Sequence, residues 1–538
     1  MEKTNTCSES FFSKLEKIAM KFILFQVLIT LLPGFVFSQQ KSSASPHPNI
    51  IIFLVDDMGW QDCSVPFYKE KTKWNSIYHT PNLEKLAATG MKFTNAYAAP
   101  VCTPTRVSLL TGMNAVNHKV TNWTLNKNKS SDGESAILNP PQWNVNGFSP
   151  VAGIENTIHA TGFPAILKQN GYFTIHIGKA HFGAMNTPGE DPLNIGFDMN
   201  VAGHAAGAPA SYFGVDSFGN KKGKSNVWAV PGLEKYWGKD IFLSEALTQE
   251  AIAGMDQALQ SNKPFLLYMA HYAIHAPIMG DKRFVQKYFD AGLDTIEAKY
   301  ASLIEGMDKS LCDIMNFLQE KNIDKNTLII FLSDNGGLSA QARGGTPNTH
   351  NLPLRSGKGS AYEGGIRIPF IVRWPGITKN NTSNSNNIIV EDIFPTVLLM
   401  AGVKKTSLVQ TINGKSILPY LKQTATDNQR YLYWHYPHVW GPEGPGLKMY
   451  SVIRQGDWKL IYFYENQTFE LYNTRDDIGE QKNLLDTHYN IAKKLAVQLG
   501  SYLRKSNAGI PIDKKTGKVV LYPDEVKEMI DLPVTIKK

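Results

Sequence analysis

Four short runs of the chain are apolar and β-branched with almost no polar break: Asn49 to Val55, Tyr172–Ile177, Phe265–Ala270 and Thr327–Leu332. Runs of this length without alternation are typical of strands covered on both faces. Between them, residues 157–169, 244–260 and 297–321 place apolar side chains at helical spacing. Strands alternating with helices predict an α/β fold, built on a large mixed, mostly parallel sheet sandwiched by helices. From about residue 426 the pattern changes. Tyr431–Tyr436, Tyr450–Arg454 and Trp458–Tyr464 alternate and are rich in aromatics, and 488–504 is helical. This predicts a smaller C-terminal α+β domain carrying an antiparallel sheet, with a catalytic-sized domain over 48–425 and the smaller one over 426–538. Residues 122–150, polar and rich in Asn, Pro and Trp, read as a loop insertion. The Asn, Thr and Ser crowded between Lys379 and Asn387 read as a surface loop over 376–390.

Each predicted strand runs into polar chemistry. The first ends in Asp56-Asp57, the second in Lys179 and His181, the third in His271 and His275, and the fourth in Asp334-Asn335-Gly336. In open α/β sheets, ligands bind beyond the carboxyl ends of the strands. Four strand ends therefore aim titratable or metal-binding groups at one edge.

Composition narrows the class only slightly. The 538 residues are 42% hydrophobic and 19% charged, enough to bury a sizeable core. The net charge of +8 mildly favours anionic partners, but no dense basic run or nucleic-acid motif accompanies it. Near the amino terminus, Lys21 precedes an apolar run from Phe22 to Phe37 and then Ser38-Gln39-Gln40. Pro33 and Gly34 interrupt the run, and it falls short of the roughly 20 residues a spanning helix needs. Residues 1–38 are therefore expected to be a signal peptide, with Met20 an alternative start, rather than a membrane anchor. The protein would then be exported, periplasmic or secreted, with no stable membrane span after leader removal. Beyond the leader's Cys7 stand Cys63, Cys102 and Cys312, an odd count. If one has a chemical fate of its own, Cys63 and Cys312 are left to pair or stay free.

Cys102 is the cysteine with such a context, in Pro100-Val101-Cys102-Thr103-Pro104-Thr105-Arg106. Pro104 suits a helix first turn, where its missing N–H costs nothing. Cys102 would then lie at a helix amino terminus, where free N–H groups favour negative charge, with Arg106 projecting from the same face one turn on. Asp56-Asp57 and Asp334-Asn335 offer oxygen donors only, which indicates Ca²⁺ or Mg²⁺ rather than zinc. The Gly-rich stretch Leu354-Arg355-Ser356-Gly357-Lys358-Gly359 lets the backbone approach an anion and deliver Lys358.

The segment around Cys102 resembles, position by position, the first signature of the formylglycine-dependent sulfatase family. Gly171 to His181 resembles the second, departing at Ala180 where an aromatic is common. The likeness extends through His275-Ala276-Pro277 and the Lys358 loop to Arg454–Leu460 and Glu470–Asn473. Within the family the chain looks most like bacterial polysaccharide sulfatases. The resemblance implies an alkaline-phosphatase-like fold and hydrolysis of sulfate esters, on a sulfated polysaccharide or oligosaccharide. It implies that Cys102 is oxidised to formylglycine by a formylglycine-generating or anaerobic sulfatase-maturating enzyme and serves as nucleophile, braced by Arg106. It implies one Ca²⁺ held by Asp56, Asp57, Asp334, Asn335 and the modified residue 102. Lys179 would bind sulfate, His181 would touch the nucleophile, and His275 and Lys358 would meet the sulfate or the leaving oxygen.

Two other readings compete. A phosphomonoesterase or phosphodiesterase of the same superfamily would use Ser or Thr and typically two metals with several His ligands, which the Cys102 segment and the oxygen-only donors disfavour. A non-catalytic carbohydrate-binding homologue would not need every matched position intact. Trp123, His204, Arg343, His350, His435, His438 and Trp440 lie in polar or aromatic loops that could line a sugar site, each more often packing than ligand. His271 reads as a core histidine, with His275 the functional one.

Overall fold

The computed structural model describes residues 47–339, 343, 350–404, 407–427 and 429–530, so the apolar leader lies outside the described residues. Eight described strands form the central sheet: β1 (Asn49–Val55), β2 (Met91–Phe93), β3 (Phe173–Gly178), β4 (Met199–Val201), β5 (Phe265–Ala270), β6 (Thr327–Ser333), β7 (Phe370–Arg373) and β8 (Thr382–Asn384). Their order is β8-β2-β7-β6-β1-β5-β3-β4. Strands β4, β3, β5, β1 and β6 pair in parallel, and β7 is antiparallel to both its neighbours. The mostly parallel sheet read from the unbroken apolar runs is thus present, with β1 at its centre and every residue of β1 buried.

The apolar runs lack alternation because both faces are covered. Seven helices position the site: α1 (Pro81–Ala88), α2 (Cys102–Thr111), α3 (Phe163–Gln169), α4 (Leu243–Gln260), α5 (Thr295–Glu320), α6 (Ile393–Met400) and α7 (Tyr489–Lys505). Ile50, Ile52 and Leu54 of β1 point into a core shared with Val107 and Leu110 of α2, Leu167 of α3 and Val397 of α6. Ile51, Phe53 and Val55 point into the opposite core with Leu83 of α1, Leu247 of α4 and Leu303 of α5. The period-two geometry of one strand therefore feeds two helical layers.

Two sequence expectations shift. The helix expected over 157–169 begins only at Phe163, because Pro164 fits a first turn and Gly162 precedes it in extended backbone. The surface loop expected over 376–390 contains β8, which adds to the sheet edge beside β2, and Ile388–Ile389, which pairs with Ala96–Tyr97. Edge strands are half covered, so Thr382-Ser383-Asn384 carries no apolar signature.

The C-terminal segments form a separate antiparallel sheet of β9 (Tyr431–Tyr436), β10 (Tyr450–Gln455), β11 (Trp458–Phe463) and β12 (Thr468–Asn473), each paired with the next. Its core is closed by Leu495, Leu499 and Leu503 of α7. Buried charge ties this sheet to the segment that leads into β7. Glu363 receives Lys459 Nζ of β11 at 3.0 Å and Arg367 at 3.1 Å, and its own N–H donates to Glu480 at 2.6 Å. Among the described residues no helix is long and apolar enough to cross a membrane. Cys63 and Cys312 are both free thiols, the first buried and the second half-buried.

Candidate active site

The parallel register brings the strand ends level. Leu54 of β1 pairs with Leu332 of β6 and Ala270 of β5, and Gly178 of β3 pairs with the same Ala270. Beyond that level the strands release their functional groups at the same edge, Lys179 one residue on, Asp56 and Asp334 two, and His275 five. Asp57 and His181 leave it in left-handed backbone, at φ 63° and 53°. Non-glycine residues adopt that region at a cost, and such strain gathers at functional sites where neighbours enforce it.

Asp334 is the hub. Arg106 grips its Oδ2 with Nε at 3.0 Å and Nη2 at 2.8 Å, and donates Nη1 to the carbonyl of Lys179 at 2.8 Å. Asp334 Oδ1 accepts the N–H of Asp57 at 3.1 Å. Lys179 Nζ reaches Asp56 Oδ2 at 2.7 Å, and Lys358 Nζ reaches Asp57 Oδ1 at 2.5 Å. Asn335 Nδ2 donates to Asp57 Oδ1 at 2.9 Å, and His275 Nε2 stands 3.6 Å from Asp57 Oδ2. Three carboxylates thus meet three basic side chains, all of them buried.

Lys358 is delivered by a loop bolted on two sides. Its N–H donates to Gly337 O at 3.0 Å, just past Asn335, and the N–H of Gly359 donates to Pro100 O at 2.8 Å, just before Cys102. Cys102 itself is the first residue of α2, whose N-cap Val101 offers no side-chain oxygen to the first-turn N–H groups. Those groups and the helix dipole favour an anion beside residue 102. Cys102, His181, His275 and Lys358 line one cavity of about 240 Å³. His181 Nε2 lies 2.7 Å from the carbonyl of Thr124, which fixes the ring proton on that nitrogen, while Nδ1 has no partner.

The oxygen donors fit a hard cation. Asp56 Oδ1, Asp57 Oδ2 and Asn335 Oδ1 are buried without any hydrogen-bond partner, a costly arrangement unless something else satisfies them. Asp56, Asp57 and His275 present ligand atoms within 4.8 Å of one another. Electrostatics agree. Burial, and then the charge of Asp334, push the Asp56 carboxyl well above its usual range against the opposing pull of Lys179. Burial pushes Asp57 upward too, but Lys358 and His275 outweigh it and hold the carboxyl low. Asp334 is held low against its own burial by Arg106 and Lys179. Burial drives the His275 imidazole down to about 3, and nearby Lys358 adds to this.

These groups sit together in the fold, and all of them lie within the span of a match to a known family. The Sulfatase family matches residues 48–403. The chain belongs to the sulfatase family. As a sulfatase it is a sulfuric ester hydrolase. A second family, described as N-sulphoglucosamine sulphohydrolase, C-terminal, matches residues 357–507. A "Sulfatase" of Formosa agariphila is 31% identical over 96% of this chain and 100% of its own. The N-acetylgalactosamine-6-sulfatase of Rattus norvegicus is 32% identical over 71% of this sulfatase and 67% of its own length. The crystal structure of Ps i-CgsB superposes with a TM-score of 0.67 at 25% identity, covering 85% of this chain and 93% of that one. This sulfatase therefore has the fold of that structure.

Of the other loop residues singled out in the sequence, Trp123 and Trp440 line the cavity with Cys102. His204 lies alongside, its carbonyl accepting the N–H of His181. The remainder are packing. His271 is buried against Phe53 with Nε2 3.0 Å from Ser310 Oγ. Arg343 is locked between Glu297 and Asp62 and stacks on Tyr300 at 3.9 Å, and His350 stacks near Trp74. His435 bonds Ser451 and Gly509, and His438 pairs with Asp132 at 2.8 Å. Sequence reasoning missed Trp228, which also lines the cavity. Its only local signal is a lone aromatic after a Lys-rich polar stretch, Lys221 to Asn226.

Proposed function

We propose that this sulfatase hydrolyses sulfate esters of carbohydrates through a formylglycine at position 102 and one Ca²⁺. The observation that carries the reading is the meeting of Cys102, His181, His275 and Lys358 in one cavity, beside buried carboxylate and amide oxygens that lack partners. Asp56, Asp57, Asp334 and Asn335, with the modified residue 102, would hold the ion. When bound, it supplies a Lewis acid beside the nucleophile and offsets charge on the sulfate oxygens. Carboxylate and amide oxygens from two strand ends favour Ca²⁺ over zinc, although the His275 nitrogen stands within reach of Asp56 and Asp57.

The chain's own residues then divide the work. Arg106 keeps Asp334 ionised and in register, and holds the Lys179 carbonyl. Lys179 and Lys358 face the sulfate charge, the term that usually dominates such catalysis. One hydroxyl of the hydrated aldehyde at 102 gives its proton to the strand-end carboxylates as its oxygen attacks sulfur, the S–O bond to the sugar breaks, and His275 with Lys358 supplies the proton to the departing oxygen. An ester anion in the cavity favours the protonated ring of His275 and so opposes its burial. His181, with Nδ1 free, takes the proton of the second hydroxyl. The C–O bond to sulfate then breaks, releasing sulfate and restoring the aldehyde. A plain thiol or hydroxyl has no second hydroxyl with which to expel the sulfate.

Carbohydrate is the substrate class because a matched relative is an N-acetylgalactosamine-6-sulfatase. The leader over 1–38 and a division into domains 48–425 and 426–538 belong to the same reading, as does a maturing enzyme that oxidises Cys102. Mass spectrometry of the Cys102 peptide from active protein is expected to find aldehyde or its hydrate. Cys102→Ala is expected to release no sulfate above buffer. Unaltered thiol in fully active enzyme, or turnover by Cys102→Ala, would overturn the mechanism, and faster phosphate than sulfate release from one aryl scaffold would restore the phosphatase alternative.

A further inference from the structure

Three tryptophans from three separate loops, Trp123, Trp228 and Trp440, line the cavity that holds Cys102. Each is only half-buried. None packs against another described ring, whereas Trp74 stacks on Tyr78 and Trp434 meets Tyr97 edge-on. Their indole N–H groups donate to no described protein atom. By contrast, Trp434 Nε1 donates to Ala98 O at 2.8 Å and Trp143 Nε1 to Asp132 at 3.2 Å. Half-open rings with free N–H donors are an apolar face and a polar handle without a protein partner.

The backbones behind these rings are held. The carbonyl of Trp123 accepts Ser131 Oγ at 2.5 Å, and that of Trp228 accepts the N–H of Ala210 at 2.7 Å. Trp440 packs over Gly359, where an added Cβ would come within 2.4 Å of its ring, and Lys358 Nζ lies 5.8 Å from the ring centroid. The cavity, about 240 Å³, is open to solvent on the side the three rings frame.

We propose that Trp123, Trp228 and Trp440 form the subsite for the sugar ring that carries the scissile ester, and so make this sulfatase selective for ring-borne sulfates over acyclic ones. The C–H faces of a pyranose are apolar and slightly positive, and match the negative face of an indole. Its hydroxyls match the free indole N–H groups. Pre-held rings add selectivity because little freedom is lost when the sugar enters. The proposal rests on the sulfatase reading above, in which the sulfate itself goes to Cys102, His275 and Lys358 of the same cavity.

The test uses the mature full-length enzyme on sulfate esters of glucose, galactose and N-acetylgalactosamine, with hexyl sulfate as the acyclic ester. Wild type is expected to favour the best sugar sulfate over hexyl sulfate by at least about tenfold in kcat/KM. Each Trp→Ala variant is expected to raise KM for that sugar sulfate about tenfold, with kcat less affected, and each Trp→Phe variant to recover part of the loss. Calorimetric binding of the same sugar sulfate to Cys102→Ala, weakened by adding Trp228→Ala, gives a readout independent of turnover. Equal rates on hexyl sulfate and the sugar sulfates, or Trp→Ala variants with wild-type KM, overturn the subsite and leave the sulfatase reading standing. No sulfate release from any ester by wild type overturns that reading itself, and the subsite with it.

Discussion

Arg106 is the side chain on which the strand ends most depend, and replacing it by Met tests that dependence directly. The guanidinium is fully buried and makes two bonds to Asp334 Oδ2 and one to the Lys179 carbonyl, with Asp56 Oδ1 a further 3.9 Å away. Arg106→Met keeps most of the volume but leaves Asp334 a buried carboxylate whose nearest remaining cation, Lys179 Nζ, is 4.0 Å away. Removing one partner of a buried ion pair costs about 3–5 kcal/mol. At ~2.1 cal/mol/K per residue, a folded chain of roughly 490 residues unfolds with an entropy near ~1 kcal/mol/K, so the expected fall in Tm is about 3–5 °C. Arg106→Lys retains the charge but not the planar fork, and loses one or two of the three bonds. It should fall by about half as much. Scanning calorimetry of wild type and both variants, with and without millimolar calcium, makes the measurement. A cation beside Asp334 would supply part of the missing charge, so the Arg106→Met deficit should shrink when calcium is present. The reasoning fails if Arg106→Met melts within about 0.5 °C of wild type, or if Arg106→Lys is the worse of the two.

Metal removal should act through the unpartnered oxygens of Asp56, Asp57 and Asn335. A chelator is expected to lower Tm, and calcium at a hundredfold its Kd to restore about 2.7 kcal/mol, roughly 3 °C for a chain this size. A melting curve indifferent to chelator, calcium and magnesium would remove the metal from the site. Burial and then Asp392 raise the Glu391 carboxyl to about 7, and Asn114 Nδ2 donates to it at 2.7 Å. Its folded pKa lies above the unfolded one, so the unfolded chain loses its proton first. The stabilising difference is full below about 4.5 and is lost as pH climbs towards 7, up to about 3 kcal/mol in all. Glu391→Gln keeps the bond from Asn114 without the titration. Wild type should therefore lose Tm relative to this variant between pH 5 and pH 8, and parallel Tm–pH curves would show that Glu391 does not titrate there.

What the sequence settled by itself is local. Unbroken apolar runs announced strands covered on both faces, and the polar residue directly after each run marked the edge where function gathers. Pro104 and the Cys102–Arg106 spacing announced a helix amino terminus with a cation one turn on. These signals survive without tertiary structure because strand period, helix period and proline's missing N–H act within a few residues. Parallel register decided the rest. Only the pairing of Leu54 with Leu332 and Ala270, and of Ala270 with Gly178, makes Asp56, Asp334 and Lys179 neighbours, although 278 positions separate the first two in the chain. The edge strand at Thr382–Asn384 and the ring of Trp228 left no local signature, since each takes its role from a partner distant in sequence. His438 and Arg343 read in sequence as more often packing than ligand, but the groups that bury them, Asp132, Glu297 and Asp62, come from elsewhere in the chain. Burial and charge pairing are sums over contacts that the chain makes only once folded, and a residue's own sequence neighbours do not contain them.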